Sequence, residues 1–307
     1  MKLPDPDPTC RNATRAGIAE GVDVAERQPL RLGPRLLYPA KGAATRSRSL
    51  SWLVRKRTDR SGGLRILFYH RVSTARDPLA VTPHRFRDQM SFLARNDYTV
   101  VDITRALDLA PNSNGTKLIA LTFDDGYLDI AENALPILQK LGFHATVFVA
   151  TGAIDGVVTF GWYDEQPPLL SWDDVMSLDA AGTFRFEAHT VTHPNLLHVD
   201  DVTARREIAG SKADLENRLK RPVTSFCYPA GLFGKRERAL VIDAGYSSAV
   251  SCEPGVNAHG GDLFALRRTG IDARDALVDF RAKLAGAHDK PLPLRALYRR
   301  RRYGALQ

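Results

Sequence analysis

The sequence of 307 residues has few cysteines and no long apolar segment. Its three cysteines, Cys10, Cys227 and Cys252, are an odd number without CxxC spacing, which argues against a disulfide framework and against a thiolate zinc site. No apolar run approaches the ~18 residues that span a bilayer. The first ten residues also lack the apolar core of a secretory signal peptide. These absences predict a cytoplasmic protein.

Two nucleotide-binding patterns are absent as well. The sequence contains neither GxGxxG nor GxxxxGK[ST], so neither a dinucleotide site nor a P-loop is supported. What is present is ordinary for a globular protein, with 44% hydrophobic and 25% charged residues.

The net charge of +8 is unevenly distributed along the chain. Residues 1–63 carry 13 basic against 6 acidic side chains, residues 281–307 carry 8 against 1, and the remainder carries 22 against 28. The acidic middle argues against nucleic-acid binding, for which a basic surface is expected. The basic runs 55–57 and 299–302 predict peripheral contact with an anionic membrane or a partner, with solvated tails as the alternative.

The chain divides into three parts. Residues 1–63 lack periodicity and are rich in Pro, Gly, Arg and Ser, which predicts a disordered extension. Residues 64–280 form the folded domain, and residues 281–307 form a basic tail. Strands and helices alternate through the domain, which predicts a parallel sheet, either doubly wound or closed into a barrel. The predicted strands are 64–69, 118–123, 145–149, 184–188, 224–228, 246–250 and 263–268.

One apolar strand ends on two adjacent carboxylates, Asp124 and Asp125, followed by Gly126. Because side chains alternate along a strand, the two aspartates should point in different directions. One could face a metal and the other a reacting water. A pair of solvated turn residues is the alternative.

His189 and His193 follow another predicted strand. On a helical turn, histidines four residues apart share a face and can bind one ion, although such pairs also occur as plain surface or core residues. Two histidines and one aspartate are a normal ligand set for a catalytic zinc-type ion with a position open to water. The carboxylates, the histidines and Tyr228-Pro229 all follow predicted parallel strands, where barrel enzymes build their active sites.

Three motifs resemble those of the polysaccharide deacetylase family, also called the NodB-homology family or carbohydrate esterase family 4. They are TFDDG at 122–126, HTVTH at 189–193 and FCYPAG at 226–231, and the resemblance covers roughly residues 64–280. It implies a distorted (β/α) barrel that removes N- or O-acetyl groups from sugar polymers with a divalent metal. FYHR at 68–71 resembles the exopolysaccharide-modifying branch of the family.

The resemblance also implies roles for individual residues. Asp124 is expected to be the general base, and the backbone N–H of Ala230 is expected to stabilise the oxyanion. The expected metal ligands are Asp125, His189 and His193. Zinc is the first choice, although cobalt, nickel or iron suit this ligand set nearly equally. The expected substrate contacts are Tyr228, Pro229 and Gly231.

Two departures from the family pattern affect this site. Cys227 stands where the family has an arginine that braces the catalytic aspartate. The segment 266–272 lacks the histidine that protonates the leaving group. Three residues could replace that histidine, the first of which is included in the expected catalytic set: Asp272, His70 and His259.

The sequence therefore predicts a metal-dependent hydrolase that removes acetyl groups, foremost the N-acetyl group of an amino sugar, from an oligo- or polysaccharide. Two alternatives remain open. The chain could be a degenerate family member that binds metal and glycan without efficient turnover, or a non-catalytic protein docked by its basic ends. Nothing in the sequence indicates an oligomeric state.

Overall fold

The computed structural model describes residues 63–112 and 116–289, together with residues 46, 47 and 49. Most of the expected extension 1–63, both basic runs and the end of the expected basic tail lie outside the described residues. Among the helices of the described part, none combines the length and the apolar character needed to cross a bilayer.

The strands form a nearly closed barrel. In chain order they are β1 (Arg65–Tyr69), β2 (Arg71–Val72), β3 (Ala80–Val81), β4 (Tyr98–Val101), β5 (Lys117–Asp124), β6 (Ala145–Val149), β7 (Phe184–Ala188), β8 (Ser225–Cys227), β9 (Ser248–Val250) and β10 (Arg268–Gly270). Eight of them form a parallel sheet in the order β10-β1-β5-β6-β7-β8-β9, with β4 also paired to β5. A bridge between Val250 and Leu266 links β9 to the segment before β10. The expected distorted (β/α) barrel is confirmed.

Helices connect most of the strands. They are α1 (Pro83–Arg95), α2 (Ile103–Leu109), α3 (Leu135–Leu141), α4 (Thr151–Ile154), α5 (Trp172–Ala181), α6 (Asp201–Leu219), α7 (Lys235–Asp243) and α8 (Leu277–Leu284). The Thr82 hydroxyl caps α1 by accepting from the Arg85 N–H, as Thr-Pro at a helix start predicts. Gly142 ends α3 with a φ of 66°, a conformation that glycine adopts readily. A π-helical segment, Ile130–Ala134, precedes α3.

The barrel strands carry the core on both faces. β5 is buried along its whole length after Lys117, as expected of a central strand covered on both sides. On one face, alternate strand positions form a buried cluster that includes Ile66, Ala120, Phe148 and Val250. Alternation places Asp124 on the same face as Ala120, four residues further along. The Asp124 carboxylate therefore sits at the end of a buried, packed strand.

The predicted strand 263–268 is wrong in most of its length. Leu263–Ala265 is a 3-10 turn, and only Arg268 belongs to β10. The Asp262 side chain accepts from the Phe264 N–H, so a polar cap starts a turn where the apolar run suggested an extended strand. As the first residue of β10, Arg268 belongs to the barrel sheet and lies beside β1.

The N- and C-terminal ends of the described chain contact each other. Arg65 forms a two-pronged ion pair with Asp289, at 2.8 and 3.0 Å. Ser49 is buried with its Oγ 3.2 Å from His288 Nε2, and Arg46 lies 3.3 Å from Asp279 in α8. Ordered packing therefore continues past residue 280, where the sequence placed the start of the tail.

Candidate active site

The two aspartates at the end of β5 face different partners. Asp124 is the last residue of the strand, and Asp125 begins the turn with a φ of 74°. Both are almost fully buried. Asp124 contacts Arg268, whereas Asp125 faces His189 and His193. The two aspartate side chains therefore point in different directions, as expected. The left-handed backbone conformation at Asp125 contributes to this difference.

His189 and His193 do not lie on a helical turn, so that expectation is wrong. They flank a loop in which Thr190 and His193 adopt left-handed φ values of 68° and 57°. The loop folds back until the two imidazole rings lie 4.6 Å apart, nearly perpendicular to each other. The four-residue spacing brings the rings together, as predicted, but through a different backbone conformation.

Three donor atoms converge next to Asp124. The Nε2 atoms of His189 and His193 lie 3.6 and 3.8 Å from Asp125 Oδ1. Ligands held 2.0–2.2 Å from a tetrahedral ion lie about 3.3–3.6 Å from one another, so the set needs little adjustment to hold one. The His189 Nδ1–H donates to the Cys227 carbonyl at 2.7 Å, which leaves Nε2 free as a ligand. These residues fit a divalent cation.

The protonation states of the donors also fit a cation. Burial lowers the pKa of His189 to about 4 and that of His193 well below its usual value, so both imidazoles are neutral. Burial and the adjacent Asp124 charge raise the pKa of Asp125 when no cation is bound. A divalent ion would remove this penalty on the Asp125 carboxylate.

Arg268 braces Asp124, a role that sequence reasoning left without a residue. Its NH1 and NH2 groups donate to the two Asp124 oxygens at 2.7 and 2.8 Å. Its Nε–H donates to the Ser251 carbonyl at 2.9 Å, and its guanidinium lies over the Phe68 ring. The Ser251 carbonyl and the Phe68 ring thus hold the guanidinium so that its two NH groups face the two carboxylate oxygens.

Cys227 makes room for this arginine. Its side chain is buried, and the Sγ atom accepts from Arg268 NH2 at 3.1 Å. Asp124, His189 and Cys227 also lie close enough to form a second donor group, but the Arg268 guanidinium already supplies the positive charge there. The family arginine missing at position 227 therefore has a counterpart on β10.

Arg268 determines the ionisation of Asp124. Burial alone raises the pKa of Asp124, but the charge of Arg268 and its hydrogen bonds outweigh this effect and leave the pKa below its ordinary value. Asp124 is therefore a carboxylate at neutral pH, as a general base must be.

The third motif forms a tight turn beside the site. Ala230 is exposed and adopts a left-handed φ of 54°, and no described residue accepts a hydrogen bond from its N–H. Tyr228 is fully buried, stacks on Phe233 and donates to the Phe264 carbonyl. Pro229 and Gly231 are also buried. Ala230 is thus the member of this group with its backbone donor available, and substrate contact by the other three stays a prediction.

Replacing Gly231 by alanine should disturb this turn. The residue has a φ of 66°, and an added Cβ would lie 2.3 Å from the backbone nitrogen of Cys252. We expect Gly231→Ala to lower the free energy of unfolding by at least about 2 kcal/mol, from left-handed strain and steric overlap together. Urea denaturation measures this loss. Gly245→Ala is the control, because its φ is also positive but nothing lies within 4 Å of the new Cβ.

The structure separates the three candidates for the missing acid. His70 follows β1, is half-buried, and interacts electrostatically with Asp124, His189 and His193. Asp272 is engaged in an ion pair with Arg274. His259 is exposed. Of the three, His70 is the one whose charge is coupled to Asp124 and to the candidate ligands His189 and His193.

An aromatic group that the sequence reasoning missed surrounds His193. Phe160 and Trp162 stack on each other, and their ring centroids lie 5.6 and 5.0 Å from that of His193. Their loop is tied to Arg71, because Tyr163 and Arg71 both bond to Asp77, at 2.6 and 2.7 Å. This segment is irregular and contains prolines. Its sequence therefore has no hydrophobic periodicity that would have pointed to these aromatic residues.

Known proteins resemble this chain in sequence and structure. The family model "Polysaccharide deacetylase" matches residues 112–249. The Bacillus subtilis (strain 168) protein YxkH, described as a polysaccharide deacetylase, is 27% identical over 217 residues, which cover 70% of this chain and 74% of YxkH. The poly-beta-1,6-N-acetyl-D-glucosamine N-deacetylase of Staphylococcus aureus is 25% identical over 221 residues, with 69% and 74% covered.

A solved structure gives the same result. The crystal structure of a Bacillus anthracis protein described as a polysaccharide deacetylase superposes with a TM-score of 0.61 at 26% identity. The superposition covers 72% of this chain and 69% of the other. The range 112–249 matched by the family model contains Asp124, Asp125, His189 and His193, and ends before Arg268.

Proposed function

Because this chain belongs to the polysaccharide deacetylase family, we propose that it is a metal-dependent hydrolase that removes acetyl groups from a glycan. One observation carries the proposal: a carboxylate held ionised by Arg268 lies next to a three-donor metal site. A base and a metal site side by side are what metal-assisted hydrolysis of an acetyl group requires.

We propose an N-acetylated amino-sugar polymer as the substrate class. The Staphylococcus aureus relative is named for deacetylating poly-β-1,6-N-acetyl-D-glucosamine, and it matches this chain over 69% of its length. The aromatic rings of Phe160 and Trp162 beside His193 provide apolar surface on which a sugar face can pack. Zinc is the proposed metal, with cobalt, nickel and iron as alternatives that suit the same ligands.

Each residue has a definite task in the proposed reaction. Asp125, His189 and His193 would hold the cation, which would serve there as a Lewis acid toward the acetyl carbonyl and water. Asp124 accepts the proton of the attacking water, and Arg268 holds its carboxylate in place. The Ala230 N–H donates to the developing oxyanion, which a preorganised backbone donor stabilises strongly.

We propose His70, rather than Asp272 or His259, as the acid that protonates the leaving amine. Burial and the charge of Arg268 lower the pKa of His70, and the carboxylates of Asp124, Asp77 and Asp272 offset only part of this effect. The position of His70 at the end of β1, beside β5, supports this role. Asp272 is committed to Arg274, so its proton is less available.

The decisive experiment measures acetate release from a panel of N- and O-acetylated glycans, with Zn²⁺, Co²⁺, Ni²⁺ or Fe²⁺ added in turn. We expect release from N-acetylglucosamine oligomers or from a partly acetylated exopolysaccharide. Full metal occupancy without acetate from any member of the panel would contradict the proposal. The alternative of a degenerate family member rests on the missing arginine and histidine, for which Arg268 and His70 are the proposed counterparts.

Metal binding should stabilise the fold, and His193 should be needed for it. A ligand that binds only the native state at 100 times its Kd adds about 2.7 kcal/mol to the free energy of unfolding. We expect this gain on adding Zn²⁺ to chelator-treated protein, and its loss in His193→Ala. Thermal unfolding with and without Zn²⁺ measures both. His198→Ala, at an exposed histidine nearby, should keep the gain.

A further inference from the structure

The loop that carries both histidine ligands needs support from outside itself. Thr190 and His193 adopt left-handed φ values, which cost non-glycine residues roughly 1–2 kcal/mol each. Local contacts within the loop are few: the Thr190 hydroxyl bonds to the His189 carbonyl and accepts from the His193 N–H. The two N–H groups between them, of Val191 and Thr192, point towards α6 instead.

Both of these N–H groups meet one carboxylate, that of Glu207. Its Oε2 atom accepts from Val191 N–H at 2.9 Å and from Thr192 N–H at 2.8 Å. Its Oε1 atom accepts from the Thr192 hydroxyl at 2.8 Å. One side chain therefore satisfies every donor at the tip of the loop.

Glu207 occupies a position where a charge is costly. It is 2% exposed, on the face of α6 that otherwise buries Ala204, Ile208, Ser211 and Leu215. A buried carboxylate is tolerated only when hydrogen bonds replace its water. Within the part of the chain that the structure describes, all the hydrogen bonds of this carboxylate come from the loop between the two histidines, so the loop compensates its burial.

The opposite side of the loop is held just as closely. Thr151 and Gly152 donate their N–H groups to the carbonyls of Thr190 and Val191, at 3.1 and 2.8 Å. A Cβ on Gly152 would lie 3.0 Å from the Val191 oxygen, so the loop packs closely against the backbone on that side. The loop is clamped between the start of α4 and Glu207.

We propose that Glu207 is a positioning residue, which holds the loop in the conformation that brings His189 and His193 to one metal ion. The inference rests on the metal site of the proposed function. Partners that orient metal ligands typically contribute about 10–100-fold to metal affinity. Glu207 would act through hydrogen-bond acceptance rather than through charge at a distance.

Three substitutions of Glu207 distinguish the effect of its side-chain length from the effect of its charge. Glu207→Ala removes the acceptor, Glu207→Asp keeps the charge but shortens the side chain, and Glu207→Gln keeps the reach without the charge. In Glu207→Gln the amide oxygen can still accept from both N–H groups, and the Thr192 hydroxyl can reverse to accept from the amide. We expect the Kd for Zn²⁺ and Co²⁺ to rise about 10–100-fold in Glu207→Ala and Glu207→Asp, with recovery in Glu207→Gln.

The experiment is calorimetric titration of chelator-treated protein with each metal, together with amide hydrogen exchange of the metal-free protein. The Val191 and Thr192 amides should be protected in the parent and in Glu207→Gln, and should exchange faster in Glu207→Ala. Asp279→Ala is the matched control: it removes a buried carboxylate that accepts a backbone N–H, from Ala276, at the start of α8. It should melt at a lower temperature and keep the metal affinity of the parent.

Unchanged metal affinity in Glu207→Ala would overturn the inference, as would an equal loss in Asp279→Ala. Failure of Glu207→Gln to recover affinity would show that charge, not positioning, matters. If Glu207→Ala does not fold, Thr192→Val removes one of the three hydrogen bonds and should still raise the Kd. These results do not depend on turnover: absence of acetate release would contradict the proposed function and leave the metal measurements standing.

Discussion

Asp124→Asn should lower the rate of acetate release by about 10²–10⁴-fold, the usual contribution of a positioned general base. The asparagine side chain has nearly the same shape but cannot accept the proton of the attacking water. The metal affinity should be retained, because the proposed ligands are Asp125, His189 and His193. The measurements are acetate release at saturating metal and calorimetric titration with Zn²⁺.

Asp243→Asn is the control for this substitution, because its carboxylate is mostly exposed and lies in an ion pair with Arg205 on the surface. Its activity should match that of the parent. A rate for Asp124→Asn within tenfold of the parent would contradict the assignment of Asp124 as the base. Loss of metal binding in this variant would instead show that Asp124 is a ligand.

Arg268→Met should be the most destabilising of these substitutions. It leaves the buried Asp124 carboxylate without its partner, and breaking a buried pair in this way typically costs about 3–5 kcal/mol of unfolding free energy. Methionine fills much of the arginine volume, so a cavity contributes little. Urea denaturation at neutral pH measures the loss. Arg205→Met, at an exposed ion pair, should change stability by about 0–1 kcal/mol.

The same substitution should change the pH dependence of activity. In the parent, Arg268 keeps the pKa of Asp124 below its ordinary value, so the base and its stabilising ion pair are present above that range and are lost as the pH falls through it. Without Arg268, burial dominates and the pKa of Asp124 rises. The acidic limb of kcat/KM should therefore move to higher pH in Arg268→Met. An unmoved limb would contradict the bracing role.

A double-mutant cycle connects these two predictions. Removing both partners, in Asp124→Asn with Arg268→Met, eliminates the unpaired buried charge that each single substitution leaves. The double variant should therefore be more stable than the sum of the two single losses predicts. Additive losses would show that the two side chains do not interact in solution as they do in the barrel.

The structure brings together the residues that the sequence singled out for the site, whereas the support around them was not predicted. Asp124, Asp125, His189 and His193 lie in short motifs, so local spacing was enough to select them. Arg268 is 144 residues from Asp124, and the pairing of β10 with β1 and of β1 with β5 brings them together. The neighbouring Arg267 is exposed, and nothing local distinguishes the two arginines.

The histidine loop shows the same limit at shorter range. Four-residue spacing suggested a helix, since helical neighbours are the simplest way to bring two such rings together. The left-handed conformations of Thr190 and His193 depend on Glu207 and Gly152, which lie on other elements. A backbone conformation that is unfavourable by itself is chosen by its tertiary partners, so local sequence could not indicate it.

By itself, the sequence pattern determined the alternation of strands and helices and the residue types that meet at the rim, because periodicity and strand ends are local properties. The choice of a barrel over a doubly wound sheet came from the family resemblance. Only the tertiary structure decided which arginine braces the base, which histidine stands beside it and what holds the metal-binding loop. Those choices depend on side chains from distant strands entering one buried space, where every charge must find a partner. Cys227 is the clearest case. In the sequence it stands where the family has an arginine, and in the fold its side chain lies against the guanidinium of Arg268 and leaves room for it.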